Sequence, residues 1–132
     1  MNPAAFSDLD REAYLSLATF RRDGRAVQTP VWFACRGERL YLFTESDAGK
    51  VKRLRNDPRA RVAACNVRGR VHGDWIEARG RVVDDPRTVR DAYDALRAKY
   101  GWQMTLVDFF SRVSGRIDGR AIVELEPVRS AR

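Results

Sequence analysis

Histidine, cysteine and lysine are scarce in this chain of 132 residues, which holds one, two and three of them respectively. Each scarcity excludes some chemistry. The lone histidine, His72, sits in the loop RGRVHGD, with no carboxylate at a spacing that would make it a general base. It reads as a solvated loop histidine. Cys35 and Cys65 lie inside strand-like apolar stretches without metal-ligand spacing, and read as buried free thiols. Ser7, Ser16, Ser111 and Ser114 lack the nucleophile-elbow context that serine hydrolysis needs. No apolar run approaches the roughly 20 residues a membrane-spanning helix requires. The N-terminus MNPAAFSDLDREA has no basic segment followed by an apolar one, so no signal peptide is expected. The default is a soluble cytoplasmic protein.

Arginine is abundant instead, and the formal charge is +7 with a pI near 10.1. The arginines are scattered at turns and strand ends, and no helix-turn-helix or aromatic RNA-binding signature accompanies them. Nucleic acid is therefore not the expected partner, whereas a small anionic one stays open. An apolar fraction of 44% with regular patterning predicts one folded domain over residues 1–132.

Residues 7–13 read as a short helix with Ser7 or Asp8 as its cap. Strands are predicted at 14–22 and 25–35, joined by an Asp23-Gly24-Arg25 turn, then at 38–45 after Arg36-Gly37-Glu38. A polar helix is expected at about 48–56, ended by Asp57-Pro58. Strands at 60–67 and 74–84 follow. Residues 86–101 begin with proline, end with glycine and place Val89, Tyr93, Leu96 and Tyr100 at helical spacing. A second helix at about 103–113 puts Leu106, Phe109, Phe110 and Val113 on one face, and Trp102 and Met104 read as further packing residues. A last strand spans 119–128, where Glu124 and Glu126 alternate with Val123 and Leu125 as on an exposed face. Six strands with short turns predict a mainly β (β+α) fold, an antiparallel sheet closed into a small barrel with a few flanking helices. LYLF (40–43) is apolar on both faces, so a helix or a second subunit must cover it; a homodimer is the expectation.

The stretch TESDAGKVKRLRNDPRARV, 44–62, holds two of the three lysines, Lys50 and Lys52, at the start of the polar helix. Cations are misplaced there, because a helix start carries unpaired N–H groups and partial positive charge. A bound phosphate would reconcile them, accepting from the free amides and the ammonium groups together. Gly49 lets the backbone approach such a group, and Thr44 and Ser46 add hydroxyls. A solvated helix balanced by Asp47 and Asp57 accounts for the same residues, so spacing alone leaves both readings open. Pro30 in QTPVW cannot donate to a ladder, and marks either a mere edge irregularity or an opening where Thr29, Val31 and Trp32 expose backbone to a ligand.

YLSLATFRRDGRAVQTPVWF, LYLFTESDAGKVKRLRNDPRARV and the strand ending EARGRVV together resemble the pyridoxamine 5'-phosphate oxidase-like split barrels, specifically the F420-dependent oxidoreductase branch. The resemblance implies a split β-barrel homodimer with its cofactor phosphate at the helix start, held by Lys50 and Lys52. Thr44, Ser46, Ala48 and Gly49 would line the same turn. The strand with Thr29, Pro30, Val31 and Trp32 would run along the flavin or deazaflavin ring, and the opposing subunit would contribute around Trp75 and Asn66. Flavin-using members usually carry an Arg in the strand matched by Thr29–Trp32 and a Gln near Trp75. Both are missing here, which favours F420 over FMN. The oligoglutamate tail of F420 suits a basic rim of Lys50, Lys52, Arg53 and Arg55. The activity implied is hydride transfer between the deazaflavin and a small conjugated organic substrate, with Trp102 and Phe109 as candidates to line a flat substrate pocket. An FMN-dependent enzyme and a cofactor-binding module without turnover are the alternatives on the same fold.

Overall fold

The computed structural model describes residues 6–114 and 119–128; the side chains of Ser7, Phe110, Ser111, Val113 and Ser114 lie outside the described residues. A single 3-10 turn, Phe6–Leu9, stands where the first short helix is expected. Strands β1 (Tyr14–Phe20) and β2 (Ala26–Val31) form a hairpin. Its tight turn uses Gly24 at φ 89°, with Asp23 accepting the Arg25 N–H. Strand β3 (Ala34–Arg36) and β4 (Arg39–Glu45) form a second hairpin around Gly37. Helix α1 (Gly49–Asn56), strands β5 (Arg59–Cys65) and β6 (Ile76–Val83), helices α2 (Pro86–Tyr100) and α3 (Trp102–Ser114), and strand β7 (Arg120–Pro127) complete the order.

All strands join one antiparallel sheet in the order β2-β1-β5-β6-β7-β4-β3. Its two terminal strands, β2 and β3, are consecutive in the chain and separated only by Trp32 and Phe33. Two linking residues reach at most about 11 Å, so the sheet must curl until its edges nearly meet. The result is a curled half-barrel.

There are seven strands rather than the six expected, because the strand predicted over 25–35 is broken at Trp32-Phe33. The break has a chemical cause. The Tyr100 hydroxyl, at the end of α2, accepts the Phe33 N–H at 3.0 Å and lies 3.0 Å from the Phe33 carbonyl and 2.9 Å from the Ala13 carbonyl. The Phe33 N–H is thus satisfied by a side chain rather than a neighbouring strand, and the carbonyls of Phe33 and Ala13 share the single phenol proton. Trp32 stacks on the same tyrosine, ring centroids 4.4 Å apart and 7° from parallel.

The barrel core is aliphatic: Leu15, Leu17, Leu40, Leu42, Val62, Val123 and Leu125 are essentially buried, with Leu54 entering from α1. Gly80 is required where α1 crosses β6, since a Cβ there would lie 2.7 Å from Leu125 Cδ2 and 3.1 Å from Leu54 Cδ2. Helix α2 starts with Asp85 accepting the Thr88 N–H and Pro86 in its first turn, and ends at Gly101 with φ 57°. Its buried Ala92, Leu96 and Tyr100 follow helical spacing.

That helix covers the outer face of LYLF. Leu40 and Leu42 point into the barrel, whereas Tyr41 packs with Val83, Ala92 and Ile122, and Phe43 meets Tyr93. A helix of the same chain thus provides the cover that LYLF requires.

Glu124 is a correction to the exposed-face expectation, for it is only 5% exposed. Tyr41 donates its phenol to Oε2 at 2.7 Å, Arg81 Nε donates to Oε1 at 2.9 Å, and Arg39 lies 3.7 Å away. Strands β4 and β6, on either side of β7, supply the donors that make its burial tolerable. Burial, and then Glu124, push the Tyr41 phenol up to about 12.

Cys65 is buried and Cys35 partly so, and both are free thiols. His72 is exposed, 3.4 Å from Glu12. Among the described residues, no helix is long and apolar enough to cross a membrane and no metal-binding cluster occurs.

Replacing Tyr100 with Phe keeps the ring stack and removes the hydroxyl, leaving the Phe33 amide without its acceptor. A stability loss of about 2 kcal/mol is expected, read as a lower urea midpoint at unchanged slope. A variant as stable as the parent would show that the hydroxyl does not hold the strand break.

Candidate anion site at the start of helix α1

Helix α1 begins without a side-chain cap. Its N-cap residue is Ala48, and no acidic residue lies in its first turn. The Ala48 N–H donates to Glu45 O and the Ser46 N–H to Gly119 O, while helical bonding begins with Val51 N–H to Ala48 O at 3.1 Å. Among the described residues the amides of Gly49 and Lys50 donate to nothing. What stabilises this start is the buried side of the helix, Val51 and Leu54, rather than local capping.

Two cations, Lys50 and Arg53, lie one turn apart in this short helix. Lys50 is half-buried, and burial, reinforced by the charge of Arg53, holds its ammonium below the ordinary 10.5, with Glu45 acting in the opposite direction. Arg53 folds back along the helix, so that a Cβ at Gly49 would lie 2.7 Å from its Nη1. Its Nε donates to Thr19 Oγ1 at 2.7 Å, and Thr19 is fully buried at the end of β1. Burial and the charge of Arg21 pull the Arg53 guanidinium down. Among the described residues no carboxylate lies within 4 Å of Lys50, Lys52, Arg53 or Arg55.

Lys50 and Lys52 do not converge. Residues two apart on a helix do not face each other, whereas those three apart do. Lys52 and Arg55 are exposed, and Lys50 shares a side with Arg53 instead. The structure thus brings together Gly49, Lys50, Arg53 and Thr19. Thr19 had no local signal, since its role depends on an arginine 34 residues away.

The remaining predicted residues divide into two groups. Thr44 is half-buried near the end of β4, on the side of Leu40 and Leu42, directly before the turn. Ser46 is exposed and lines a cavity of about 380 Å³ with Glu45, Asp47 and Gly119. On β2, Thr29 pairs with Leu17 and Val27 with Thr19, which puts Thr29 on the same sheet face as the Arg53 partner. Val31 is buried, and Trp32 is committed to its stack with Tyr100.

Pro30 is exposed on the opposite face, where the loop after β5 approaches: a side chain at Gly69 would meet Pro30 Cδ at 3.6 Å. Asn66 organises that loop, its Oδ1 accepting the N–H groups of Arg68 and Arg70 at 2.9 Å each. Trp75 is half-buried just before β6. Neither Asn66 nor Trp75 joins the α1 group through a hydrogen bond or ion pair among the described residues. On α3, Met104 is buried, while Trp102 and Phe109 are 71% and 58% exposed.

A sequence model described as pyridoxamine 5'-phosphate oxidase matches residues 1–131. No curated protein matches the chain. Among solved structures, a protein described as an F420 reductase is similar with TM-score 0.62 and 22% identity, over 97% of this chain and 96% of that one. A conserved hypothetical protein, Rv2991 from Mycobacterium tuberculosis, is similar with TM-score 0.67 and 18% identity, over 99% and 83% of the two chains. HutZ, described as the heme storage protein of Vibrio cholerae, is similar with TM-score 0.69 and 12% identity, over 91% and 84%. These likenesses establish the shared fold.

Sulfate is a suitable probe of the helix start, because its charge does not titrate between neutral and alkaline pH. Its affinity is expected to fall as pH rises through the lowered Lys50 pKa, starting below the ordinary lysine range. Lys50→Arg should flatten that dependence. A profile identical in the parent and the Arg variant, followed by calorimetry, would remove Lys50 from the site.

Proposed function

The chain belongs to the pyridoxamine 5'-phosphate oxidase family, and on that premise we propose that it binds the deazaflavin F420 and transfers a hydride between it and a small conjugated organic molecule. The observation that carries this reading is the uncapped start of α1, where, among the described residues, the Gly49 and Lys50 amides have no acceptor and Lys50 and Arg53 have no carboxylate within 4 Å. These groups fit a phosphodiester: amides and ammonium donate to its oxygens, and the partial charge of the helix end adds to theirs. An anion there also removes the mutual repulsion of Lys50 and Arg53.

Gly49 and Lys50 would hold the phosphate through their N–H groups, with the Lys50 and Arg53 side chains completing the grip. Thr29 lies on the same sheet face as Thr19, and β2 pairs with β1 alone among the described strands. The ring would therefore lie along β2, with Thr29, Pro30, Val31 and Trp32 beside it. When bound, the deazaflavin supplies the hydride chemistry; the chain's own task is to orient ring and substrate and to exclude water. A homodimer in the cytoplasm, with Asn66 and Trp75 reaching the site from the partner, completes the proposal. Similarity to an F420 reductase along nearly the full length of both chains supports the choice of F420 over FMN. The missing Arg in Thr29–Trp32 and the missing Gln near Trp75 favour the same choice.

A fluorescence titration with F420, run beside FMN and haem, tests the cofactor directly. Lys50→Ala is expected to weaken F420 binding about tenfold, the loss of one charge-assisted contact. Unchanged affinity would remove Lys50 from the site, and tighter binding of FMN in a yellow protein would redirect the assignment. Tight F420 binding without reduction of enones, quinones or nitro-compounds would leave a cofactor-holding module in place of an enzyme.

A further inference from the structure

Strands β6 and β7 carry charge of both signs on the face of the sheet turned away from the barrel core. Ala78, Val123 and Leu125 are buried in that core, and a Cβ on Gly80 would meet Leu125 and Leu54 there. Alternation therefore sends Arg79, Arg81, Glu124 and Glu126 to the opposite face. A cavity of about 190 Å³ opens among them, lined by Pro58, Arg79, Gly80, Arg81, Glu124 and Glu126. Two guanidinium groups and two carboxylates line it, unlike the cation pair at the start of α1.

The register sets these charges as two cross-strand pairs, Arg81 opposite Glu124 and Arg79 opposite Glu126. The first pair is closed: Arg81 Nε donates to Glu124 Oε1 at 2.9 Å, and Tyr41 donates to the other oxygen. The second pair is open. Among the described residues Arg79 has no carboxylate within 4 Å. Glu126 is met within 4 Å by Arg39 alone, at 3.9 Å, too far for a hydrogen bond. Arg79 also stands opposite Arg59 on β5, and like charges directly opposite disfavour pairing. Asp57 gives Arg79 no relief, because Arg59 already donates to it through Nη2 at 2.8 Å and Nε at 3.1 Å. An exposed cation and an exposed anion thus remain on the wall of one cavity.

A ligand of one sign satisfies half of this arrangement and is repelled by the other half, whereas a zwitterion satisfies both. We propose that the cavity binds a free α-amino acid, its carboxylate accepting from Arg79 and its ammonium donating to Glu126. Both side chains are long and exposed, so they can close on a ligand whose two charges are one carbon apart. Pro58 and Gly80 bring no polar side chain to the remaining wall, and the cavity is small. A short apolar side chain, as in alanine or valine, suits that wall. Nothing in this assignment depends on the deazaflavin.

The experiment titrates isotopically labelled protein with L-alanine, L-valine, acetate and methylammonium, following the backbone amide signals of Arg79, Gly80 and Glu126. Both amino acids are expected to give saturable shifts at these positions, and to bind about tenfold tighter than either single-charge probe. Arg79→Gln and Glu126→Gln should each weaken amino-acid binding about fivefold, and added salt should weaken it in the parent. Both positions are exposed, and an unchanged melting temperature confirms that each variant folds.

Acetate binding as tightly as alanine would make the cavity a plain anion site and overturn the inference. Amino-acid binding undiminished in both variants would overturn it as well, by placing the contact elsewhere. If neither amino acid gives a saturable shift, Arg79 and Glu126 are a solvated pair and the inference is wrong. None of these probes involves F420, so each outcome is independent of the cofactor titration.

Discussion

One hydroxyl stands at the point where this sheet turns back on itself. Seven strands run from β2 at one edge to β3 at the other, and two residues join those edges. So short a link leaves Phe33 unable to pair with a strand, and its backbone N–H and carbonyl both meet the phenol of Tyr100. Without that partner a buried amide and carbonyl would be stranded in an apolar surrounding. The same tyrosine closes α2 and carries the Trp32 ring. Helix packing, strand interruption and barrel closure therefore share one residue.

Closure fixes where charge is left over. Because the sheet curls, α1 lies against β1 and β6, with Val51 and Leu54 buried. A helix of eight residues has little stability of its own, so packing must supply what capping does not. That allows Ala48 to stand where Ser or Asp usually stands, and lysine where an acid is usually favoured. Amides without an acceptor and cations without a carboxylate, among the described residues, thus occur in the same helical turn. An anionic ligand, as proposed, would be the chemical complement of both, and its binding would relieve the repulsion between Lys50 and Arg53.

Much of this was legible in the sequence where the determinants are local. Pro86 and Gly101 announced α2 and its ends, and the Gly turns announced both hairpins. The basic helix start was visible from Gly49, Lys50 and the nearby Asp57-Pro58 stop. What escaped depends on distant partners. The break in the strand over 25–35 is caused by a tyrosine 67 residues beyond Phe33. Glu124 alternates with apolar neighbours as an exposed residue would, yet Tyr41 and Arg81 reach it from flanking strands. LYLF did require a cover, and α2 provides it. Arg53 read as one member of a basic rim; its fold over Gly49 is set by Thr19, in a strand the helix meets only after the barrel closes.

The central claim is that the free amides at the start of α1, together with Lys50 and Arg53, are where the ligand's phosphate is held. Backbone amide resonances report this directly, because a hydrogen bond to phosphate moves an N–H signal strongly downfield. In a titration of isotopically labelled protein with F420, the account predicts the largest shifts at Gly49 and Lys50, saturating together with the Arg53 Nε signal. Shifts spread over the exposed arginines, with Gly49 and Lys50 unmoved, would contradict it.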